Sequence, residues 1–408
     1  MRLNDIFTIV LFSALLAGCG GGGTSSASAN TESAEATGGN ETGSNVLAIT
    51  INDPTYPNKP TVSVTVCTPG TSNCQTINNI LLDTGSYGLR VFKQALPNVS
   101  LPQINVAAGS LAECITYADG FGDWGPVKSA DVVLGGETAL NVSIQVIDSI
   151  YSAGAIPASC QSPNVIGLDQ DPGSAGYNGI LGVGLFANDC GQGCTSSANN
   201  GIYFTCSGSR CVGATVPLSS QVQNPVALLK QDNNGVIVKL PSVPLGGMQS
   251  VNGQLILGIG TRSNNSPVGV IAYPADINGE FSTVFNGTKL PNSFIDSGSN
   301  GLFFNAPSLL LPLCSSPDQD WYCPQSVQTL SATTEGAIGS PSGSISFHIG
   351  NTTTLFNDVS KSLYVELGGS AFSGSGFDWG LPFFFGHSVF VGIDGKSSIL
   401  GDGPYWAY

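Results

Sequence analysis

Apolar and polar positions alternate along this chain in short runs, with turn-forming residues between the runs. Residues 61–66 carry valine at every second position, which is the period of a β-strand with one buried face. Shorter apolar runs, such as residues 255–257, favour buried strands. The 54 glycines and 24 prolines disfavour long helices and favour turns. The pattern therefore predicts an all-β protein.

Two larger features follow from the same pattern. The clearest helical signal covers residues 225–231, where Pro225 stands near the helix start and the apolar positions suit one buried face. The segment from residue 46 to residue 408 is longer than a domain with a single hydrophobic core usually is, so the sequence predicts two lobes. We place the N-terminal lobe at residues 46–235 and the C-terminal lobe at residues 236–408.

Residues 1–18 have the character of a secretion signal. Arg2 precedes an apolar stretch at residues 6–16 that is too short to span a membrane. The sequence Leu-Ala-Gly then leads into Cys19, and this resembles the lipobox of bacterial lipoproteins, whose cysteine becomes the lipidated N-terminus. The alternative is that Cys19 is a free or disulfide-bonded cysteine after ordinary signal cleavage.

The segment after the signal is a predicted tether. Residues 20–44 contain only Gly, Ser, Thr, Ala, Asn and Glu, so they offer no bulky apolar side chain to bury. Residues 19–45 are thus expected to be a lipidated cysteine and a flexible linker in the bacterial cell envelope. By resemblance to Gram-negative sorting, Gly20 favours the outer membrane. The lipid anchor is the only membrane contact expected.

The charge of the chain argues against one class of partner. The formal net charge is −15 and Lys plus Arg number only 12. Such a field repels phosphate backbones, so nucleic acid is not an expected partner.

The cysteine count indicates disulfides. Apart from Cys19, ten of the 11 cysteines remain, an even number in an oxidising compartment. Zinc is the competing interpretation, but two histidines and no paired C-x-x-C make a metal site unexpected. The spacing predicts five pairs: Cys67 with Cys74, Cys190 with Cys194, Cys206 with Cys211, Cys314 with Cys323, and the remaining Cys114 with Cys160.

One internal repeat carries most of the functional information. Residues 81–92 and 294–305 each hold two apolar residues, then Asp, a hydroxyl residue, Gly, Ser, any residue, Gly and Leu. The aspartates are Asp83 and Asp296. A single Asp-Thr-Gly-Ser is ordinary turn chemistry, in which the aspartate caps its own loop. Two copies that both follow apolar strands indicate instead a pair of facing carboxyl groups.

The residue types around the aspartates suit that pair. Two close carboxyl groups that share one proton provide a general base and a general acid. Glycine lets backbone N–H groups approach the carboxylates, and hydroxyl side chains fix the loops by hydrogen bonds. The supporting residues expected in this role are Thr84, Gly85, Ser86, Ser297, Gly298 and Ser299.

The doubled motif and its surroundings resemble the pepsin-like aspartic peptidases over most of the chain after the tether. Residues 61–83 are similar to that family's hairpin before the first catalytic loop. Residues 114–120 resemble the start of its flap, which places Tyr117 and Gly120 over the substrate. Residues 178–184 and 378–380 resemble the segments that pass beneath the two catalytic loops.

This resemblance implies a definite fold and activity. The fold would be two related lobes, each like a six-stranded barrel, with a cleft between them. The activity would be that of a monomeric aspartic-type endopeptidase that cleaves extended peptide or protein substrates with no cofactor and no metal. Tyr117 has an alternative interpretation as an ordinary cross-strand aromatic residue.

Departures from the family leave other functions open. Arg90 stands where the family commonly has a tryptophan that braces the flap tyrosine, and the cysteine-rich residues 188–212 have no obvious counterpart. The chain also resembles a group of uncharacterised bacterial exported proteins with the same doubled motif. The alternatives are a catalytically silent bilobal scaffold that binds peptide or glycan, and a surface adhesin or structural lipoprotein.

Overall fold

The computed structural model describes residues 44–106, 109–152, 156–161, 165–370 and 375–408. The predicted signal at residues 1–18, Cys19 and the tether up to residue 43 lie outside the described residues.

The protein is nearly all-β and has two lobes. Strands make up 44% of the described residues and helices 10%, and the sheets form a closed six-strand barrel and a nearly closed seven-strand barrel. The predicted all-β, bilobal class with barrel-like lobes is therefore confirmed.

Seventeen strands belong to one large sheet. Its strands from the first part of the chain are β1 Val46–Ile51, β2 Thr61–Cys67, β3 Cys74–Asp83, β4 Tyr87–Phe92, β5 Asn105–Val106, β6 Gly109–Thr116, β7 Phe121–Leu134, β8 Glu137–Ile147, β9 Gly167–Leu168, β10 Gly179–Val183, β11 Tyr203–Ser207 and β12 Arg210–Gly213. Its later strands are β13 Gly235–Lys239, β14 Val251–Leu257, β15 Ala272–Pro274, β23 Ser388–Gly392 and β26 Tyr405–Ala407.

A seven-stranded sheet and a two-stranded sheet complete the fold. The seven strands are β16 Phe281–Phe285, β17 Thr288–Ile295, β18 Leu302–Phe303, β19 Gln328–Glu335, β20 Ser342–Ile349, β21 Gly368–Gly369 and β22 Asp378–Trp379. The two-stranded sheet contains β24 Ser397–Ser398 and β25 Gly401–Asp402.

The helices are short. The α-helices are α1 Pro172–Ala175, α2 Gln192–Ser196 and α3 Thr352–Phe356, and the 3₁₀ helices are Lys93–Ala95, Ala158–Gln161, Leu218–Ser220, Pro225–Leu228, Ser263–Asn265 and Leu381–Phe384. The helix predicted at residues 225–231 is thus one 3₁₀ turn, capped by Asn224 and followed at Leu229 by extended backbone.

Strands that lie far apart in the sequence pair with one another in the large sheet. Strand β1 pairs antiparallel with β14 over its whole length, and β13 pairs with both β14 and β23. The last strand, β26, pairs with β23 and β15. The first and last strands of the described chain therefore belong to one sheet that joins the two halves.

Burial follows the alternation seen in the sequence. Val62, Val64 and Val66 in β2 are buried, while the residues between them are exposed or half-buried. At the end of β3 the alternation stops, and residues 80–83 are all buried. There β3 pairs with β2 on one edge and with β10 on the other, so this stretch lies inside the sheet and not at its edge.

All five predicted disulfides are present and therefore confirmed. The structure pairs Cys67 with Cys74, Cys114 with Cys160, Cys190 with Cys194, Cys206 with Cys211, and Cys314 with Cys323. The loop in the cysteine-rich segment is thus closed by two short disulfides.

Candidate active site

The two motif aspartates stand at equivalent places in the two lobes. Asp83 is the last residue of β3, and Asp296 directly follows β17. A second strand runs parallel beside each of them: β10 beside β3 and β22 beside β17. These are the segments at residues 178–184 and 378–380 that the sequence had placed beneath the loops.

Glycines permit the close packing of these segments. A Cβ atom on Gly182 would lie 2.6 Å from the backbone nitrogen of Tyr87, and one on Gly380 would lie 2.0 Å from the carbonyl oxygen of Gly301. A side chain at either position would push the neighbouring strand away from its aspartate loop.

The two loops hold each other by reciprocal hydrogen bonds. The Thr84 hydroxyl donates to the carbonyl of Ile295 at 2.9 Å, and the Ser297 hydroxyl donates to the carbonyl of Leu82 at 2.8 Å. Each hydroxyl also accepts from the other residue's backbone N–H, at 2.9 and 3.1 Å. All four residues are buried, so these bonds fix one lobe's loop to the other's.

Each carboxyl group receives the same pair of hydrogen bonds. The backbone N–H of Gly85 and the hydroxyl of Ser86 donate to Asp83, at 2.7 and 2.5 Å. In the other lobe, the N–H of Gly298 and the hydroxyl of Ser299 donate to Asp296, both at 2.7 Å.

The two carboxyl groups are in contact. The N–H of Gly85 lies 3.2 Å from Asp296 Oδ1 as well, so it bridges the pair. A Cβ atom on Gly85 would lie 2.6 Å from Asp296 Cγ, and one on Gly298 would lie 2.8 Å from Asp83 Cγ. Each glycine therefore leaves room for the carboxyl group of the opposite lobe.

The pair is electrostatically unequal. Asp83 is buried, and Asp296 is half-buried. Burial, then the charge of Asp296 and a hydrogen bond with it, raise the pKa of Asp83 well above the usual range. The arrangement thus favours the neutral form of Asp83.

A cavity of about 320 Å³ opens above the pair. Its walls include the apolar side chains of Leu81, Ile180 and Phe294, and its floor includes both aspartates. The cavity can therefore accept an apolar group beside two carboxyl groups.

A β-hairpin made by β6 and β7 reaches over this cavity. Its strands pair as far as Thr116 opposite Gly122, and the turn between them holds Tyr117 and Gly120. Gly120 has a φ of 83°, in the left-handed region that favours glycine. Tyr117 lines the cavity, and its hydroxyl donates to Asp123 at 2.9 Å. The structure thus brings Tyr117 near the two aspartates and gives it a partner on its own hairpin.

Comparison with family models places the chain in a known group. A model described as "Protein of unknown function (DUF3443)" matches residues 41–408, which is most of the chain. The chain belongs to the DUF3443 family. No curated protein matches it.

Arg90 of this DUF3443 protein forms a buried ion-pair network that the sequence did not reveal. The guanidinium donates to Glu113 at 2.7 Å and to Asp189 at 2.8 Å, and the Tyr203 hydroxyl donates to the other oxygen of Asp189 at 2.6 Å. Arg90 also donates to the carbonyl of Tyr87 at 2.7 Å. The network joins β6, one strand of the hairpin that carries Tyr117, to the motif strand β4, and so it supports that hairpin.

The charges of this network are nearly balanced. Burial raises the pKa of Glu113 well above the usual range, although the positive charge of Arg90 acts to lower it. Burial thus favours the neutral form of Glu113, which reduces the net charge that the network buries. Nothing local to Glu113 or Asp189 in the sequence signals this, because their partner lies in another strand.

Two further properties concern metals and membranes. Across the described ranges, no group of three or more His, Cys, Asp or Glu side chains is arranged to hold a metal ion. Within the same part of the DUF3443 chain, no helix is long and apolar enough to cross a membrane.

Proposed function

We propose that this protein is an aspartic-type endopeptidase, in which Asp83 and Asp296 activate water to cleave an extended peptide. The observation that carries the proposal is the contact between the two carboxyl groups at the floor of an open cavity. Each group receives a matching pair of hydrogen bonds, so both are held in place before substrate binds. The resemblance of the doubled motif to the pepsin-like peptidases adds to this.

The reaction follows from the unequal burial of the pair. The charged Asp296 accepts a proton from water as the water oxygen attacks the carbonyl carbon of the scissile bond. The neutral Asp83 donates its proton to the carbonyl oxygen, which gives a neutral tetrahedral intermediate. Proton transfer to the amide nitrogen, with loss of a proton from one hydroxyl, then breaks the C–N bond. No covalent enzyme intermediate forms in this route.

The walls of the cavity suggest what is bound. Leu81, Ile180 and Phe294 offer apolar contacts beside the aspartates, and the Tyr117 hairpin covers the cavity from above. Peptides with apolar side chains next to the scissile bond therefore fit this site best.

We also propose that Cys19 anchors the enzyme in the bacterial envelope, most favourably at the outer membrane. The support is the Leu-Ala-Gly sequence before Cys19 and the polar residues 20–44 after it. Replacing Cys19 with serine is expected to move the protein from the membrane fraction to the soluble envelope fraction. Unchanged membrane association of Cys19→Ser would contradict the anchor.

The peptidase proposal is tested by replacing each aspartate with asparagine, which preserves shape but removes the acid or the base. We expect Asp83→Asn and Asp296→Asn each to lower cleavage of a mixed peptide library by at least about 100-fold. Asp358→Asn is the matched control, because that carboxyl group is exposed and does not line the cavity. If the wild type binds peptide in the cavity and cleaves none at any pH, the protein is a binding scaffold instead.

A further inference from the structure

The hairpin of β6 and β7 has a partner strand on each outer edge. Strand β11 pairs antiparallel with β6 over residues 110–113, and β12 pairs with β11 in turn. The N–H of Cys114 extends this edge by donating to the carbonyl of Ile202 at 2.8 Å. On the other edge, β9 pairs parallel with β7 at Phe121 and Gly122. The hairpin thus lies in the middle of a sheet, whereas a two-stranded hairpin alone is only marginally stable.

The fastening on the β9 side reaches the turn of the hairpin. The N–H of Ile166 donates to the carbonyl of Gly120, within the turn, at 2.7 Å. The N–H of Asp169 donates to the carbonyl of Gly122, just after the turn, at 2.9 Å. The turn that carries Tyr117 is therefore bonded to a neighbouring segment and is not a free tip.

Side chains tie the hairpin to the same neighbours. Trp124 of β7 is fully buried, and its ring packs against Phe204 of β11 with 6.0 Å between the ring centroids. The disulfide of Cys114 with Cys160 lies in the same hydrophobic cluster and joins β6 to a short 3₁₀ helix. The Arg90 network joins β6 to β4. Movement of the hairpin away from the cavity would have to break these contacts together.

The cavity lies between this hairpin and the two motif loops. Its lining includes residues 115–119 of the hairpin, together with Gly85 and Ser86 of one loop and Gly298 and Ser299 of the other. Two adjacent chains of a turned loop lie about 4.8 Å apart, so such a loop needs a wider opening than one extended chain does. A hairpin that is fastened on both edges does not swing away to provide that width.

We propose that β9, β11 and the disulfide of Cys114 with Cys160 hold the hairpin as a fixed wall, so that the site admits a polypeptide only as a single extended chain. The proposal rests on the peptidase function proposed above and narrows its substrates to linear peptides and unfolded segments. A tightly turned loop with the same sequence is excluded. The cysteine-rich residues 188–212 thereby acquire a role, because they supply β11.

The first test measures movement of the hairpin without using activity. Hydrogen exchange followed by NMR would report the amides of Cys114, Ile166 and Asp169, whose hydrogen bonds must break if the hairpin lifts. After correction for intrinsic rates, we expect each to exchange at least about 100-fold more slowly than the amide of Gly339, a donor in an exposed turn. Exchange of all three as fast as that of Gly339 would overturn the proposal, whether or not the protein cleaves peptides.

The second test compares a linear peptide with the same peptide closed into a small ring by a link outside the cleaved sequence. We expect kcat/KM of the wild type to be at least about 100-fold higher for the linear peptide, because the ring cannot reach the reacting geometry. The variant Cys114→Ala/Cys160→Ala loosens the wall, so this ratio should fall at least about tenfold, and the Ile166 and Asp169 amides should exchange faster. Cys67→Ala/Cys74→Ala is the control, because it removes a disulfide whose cysteines do not line the cavity, and it should keep the wild-type ratio.

The outcomes separate this proposal from the peptidase function. Equal cleavage of the linear and the ring peptide by the wild type would contradict the fixed wall, and so would a ratio that stays the same in Cys114→Ala/Cys160→Ala. If the wild type cleaves neither peptide at any pH, the peptidase function fails. The exchange rates then still decide whether the hairpin is fixed.

Discussion

Thr84 and Ser297 exchange hydrogen bonds between the two motif loops, although they are 213 residues apart in the sequence. Each hydroxyl accepts from the other residue's backbone N–H and donates to a carbonyl just before the other motif aspartate. Neither loop is therefore fixed by its own lobe alone. The orientation of each carboxyl group depends on the packing of both lobes.

Removal of either hydroxyl should weaken this link. Thr84→Val keeps the shape but leaves a buried N–H and a buried carbonyl without partners, which costs about 1–3 kcal/mol of unfolding free energy. Ser297→Ala should cost a similar amount, and the double variant less than the sum, because both belong to one network. Urea unfolding measures all three. Ser63→Ala, whose hydroxyl bond is exposed, is the control with an expected change near zero. Strictly additive losses would show that the two hydroxyls act independently.

Gly85 gives a prediction about the distance between the carboxyl groups of Asp83 and Asp296. A methyl group on Gly85 would meet Asp296 Cγ at 2.6 Å, so Gly85→Ala must push the two carboxyl groups apart. We expect peptide cleavage to fall by about 100-fold, because small misplacements at a reacting centre have effects of that size. Gly193→Ala is the control, since the nearest atom to its added methyl group is 4.0 Å away. Full activity in a folded Gly85→Ala protein would argue against a close pair.

Arg90 is predicted to support the fold rather than to react. Arg90→Met leaves Glu113 and Asp189 without their buried cation, and breaking such a network costs about 3–5 kcal/mol. The matched control is Lys93→Met, which removes an ion pair with Asp148 from a largely exposed lysine and should cost at most about 1 kcal/mol. Thermal or urea unfolding compares them. Equal losses of unfolding free energy in the two variants would mean that the buried Arg90 network stabilises the protein no more than an exposed ion pair does.

The raised pKa values predict how stability changes with pH. Burial and the charge of Asp296 raise the pKa of Asp83, and burial raises that of Glu113. The folded protein thus binds protons more tightly than the unfolded chain does. This contribution to stability is fully present below the pKa values that Asp and Glu have in the unfolded chain, about 4. It is lost as the pH rises through the pKa values that Asp83 and Glu113 have in the folded protein.

Urea unfolding between about pH 4 and about pH 8 measures this effect. The free energy of unfolding should decrease as pH rises, and the decrease should be smaller in Asp83→Asn, which removes one of the shifted groups. Asp394→Asn, which changes an exposed carboxyl group outside the cavity, should leave the slope as it is in the wild type. Stability that increases with pH over this range would contradict the assignment of raised pKa values.

The sequence was most informative where it repeats itself. The two Asp-containing motifs predicted a facing pair because each follows an apolar strand, and the structure brings Asp83 and Asp296 into contact. The disulfides were also predictable, because four of the five pairs are close in sequence. Both predictions rest on local patterns, the repeated motif and the close cysteine spacing, that are visible in the sequence itself.

Other features depend on contacts between distant strands. Arg90 and Asp189 are 99 residues apart, and a lone arginine or aspartate carries no sign of its partner. The apolar spacing at residues 225–231 fits a helix, but so short a segment is decided by packing. There the chain makes one 3₁₀ turn and then extends from Leu229.

The measurement that tests the central claim most directly is kcat/KM for a cleaved peptide as a function of pH, in the wild type and in both single asparagine variants. If Asp83 and Asp296 share one proton, activity needs one group charged and the other neutral. The wild type should then give a bell-shaped profile, whose two limbs belong to the pair. Asp83→Asn and Asp296→Asn should show almost no activity at any pH. Cleavage that persists in both variants with the wild-type profile would show that another site cuts the peptide.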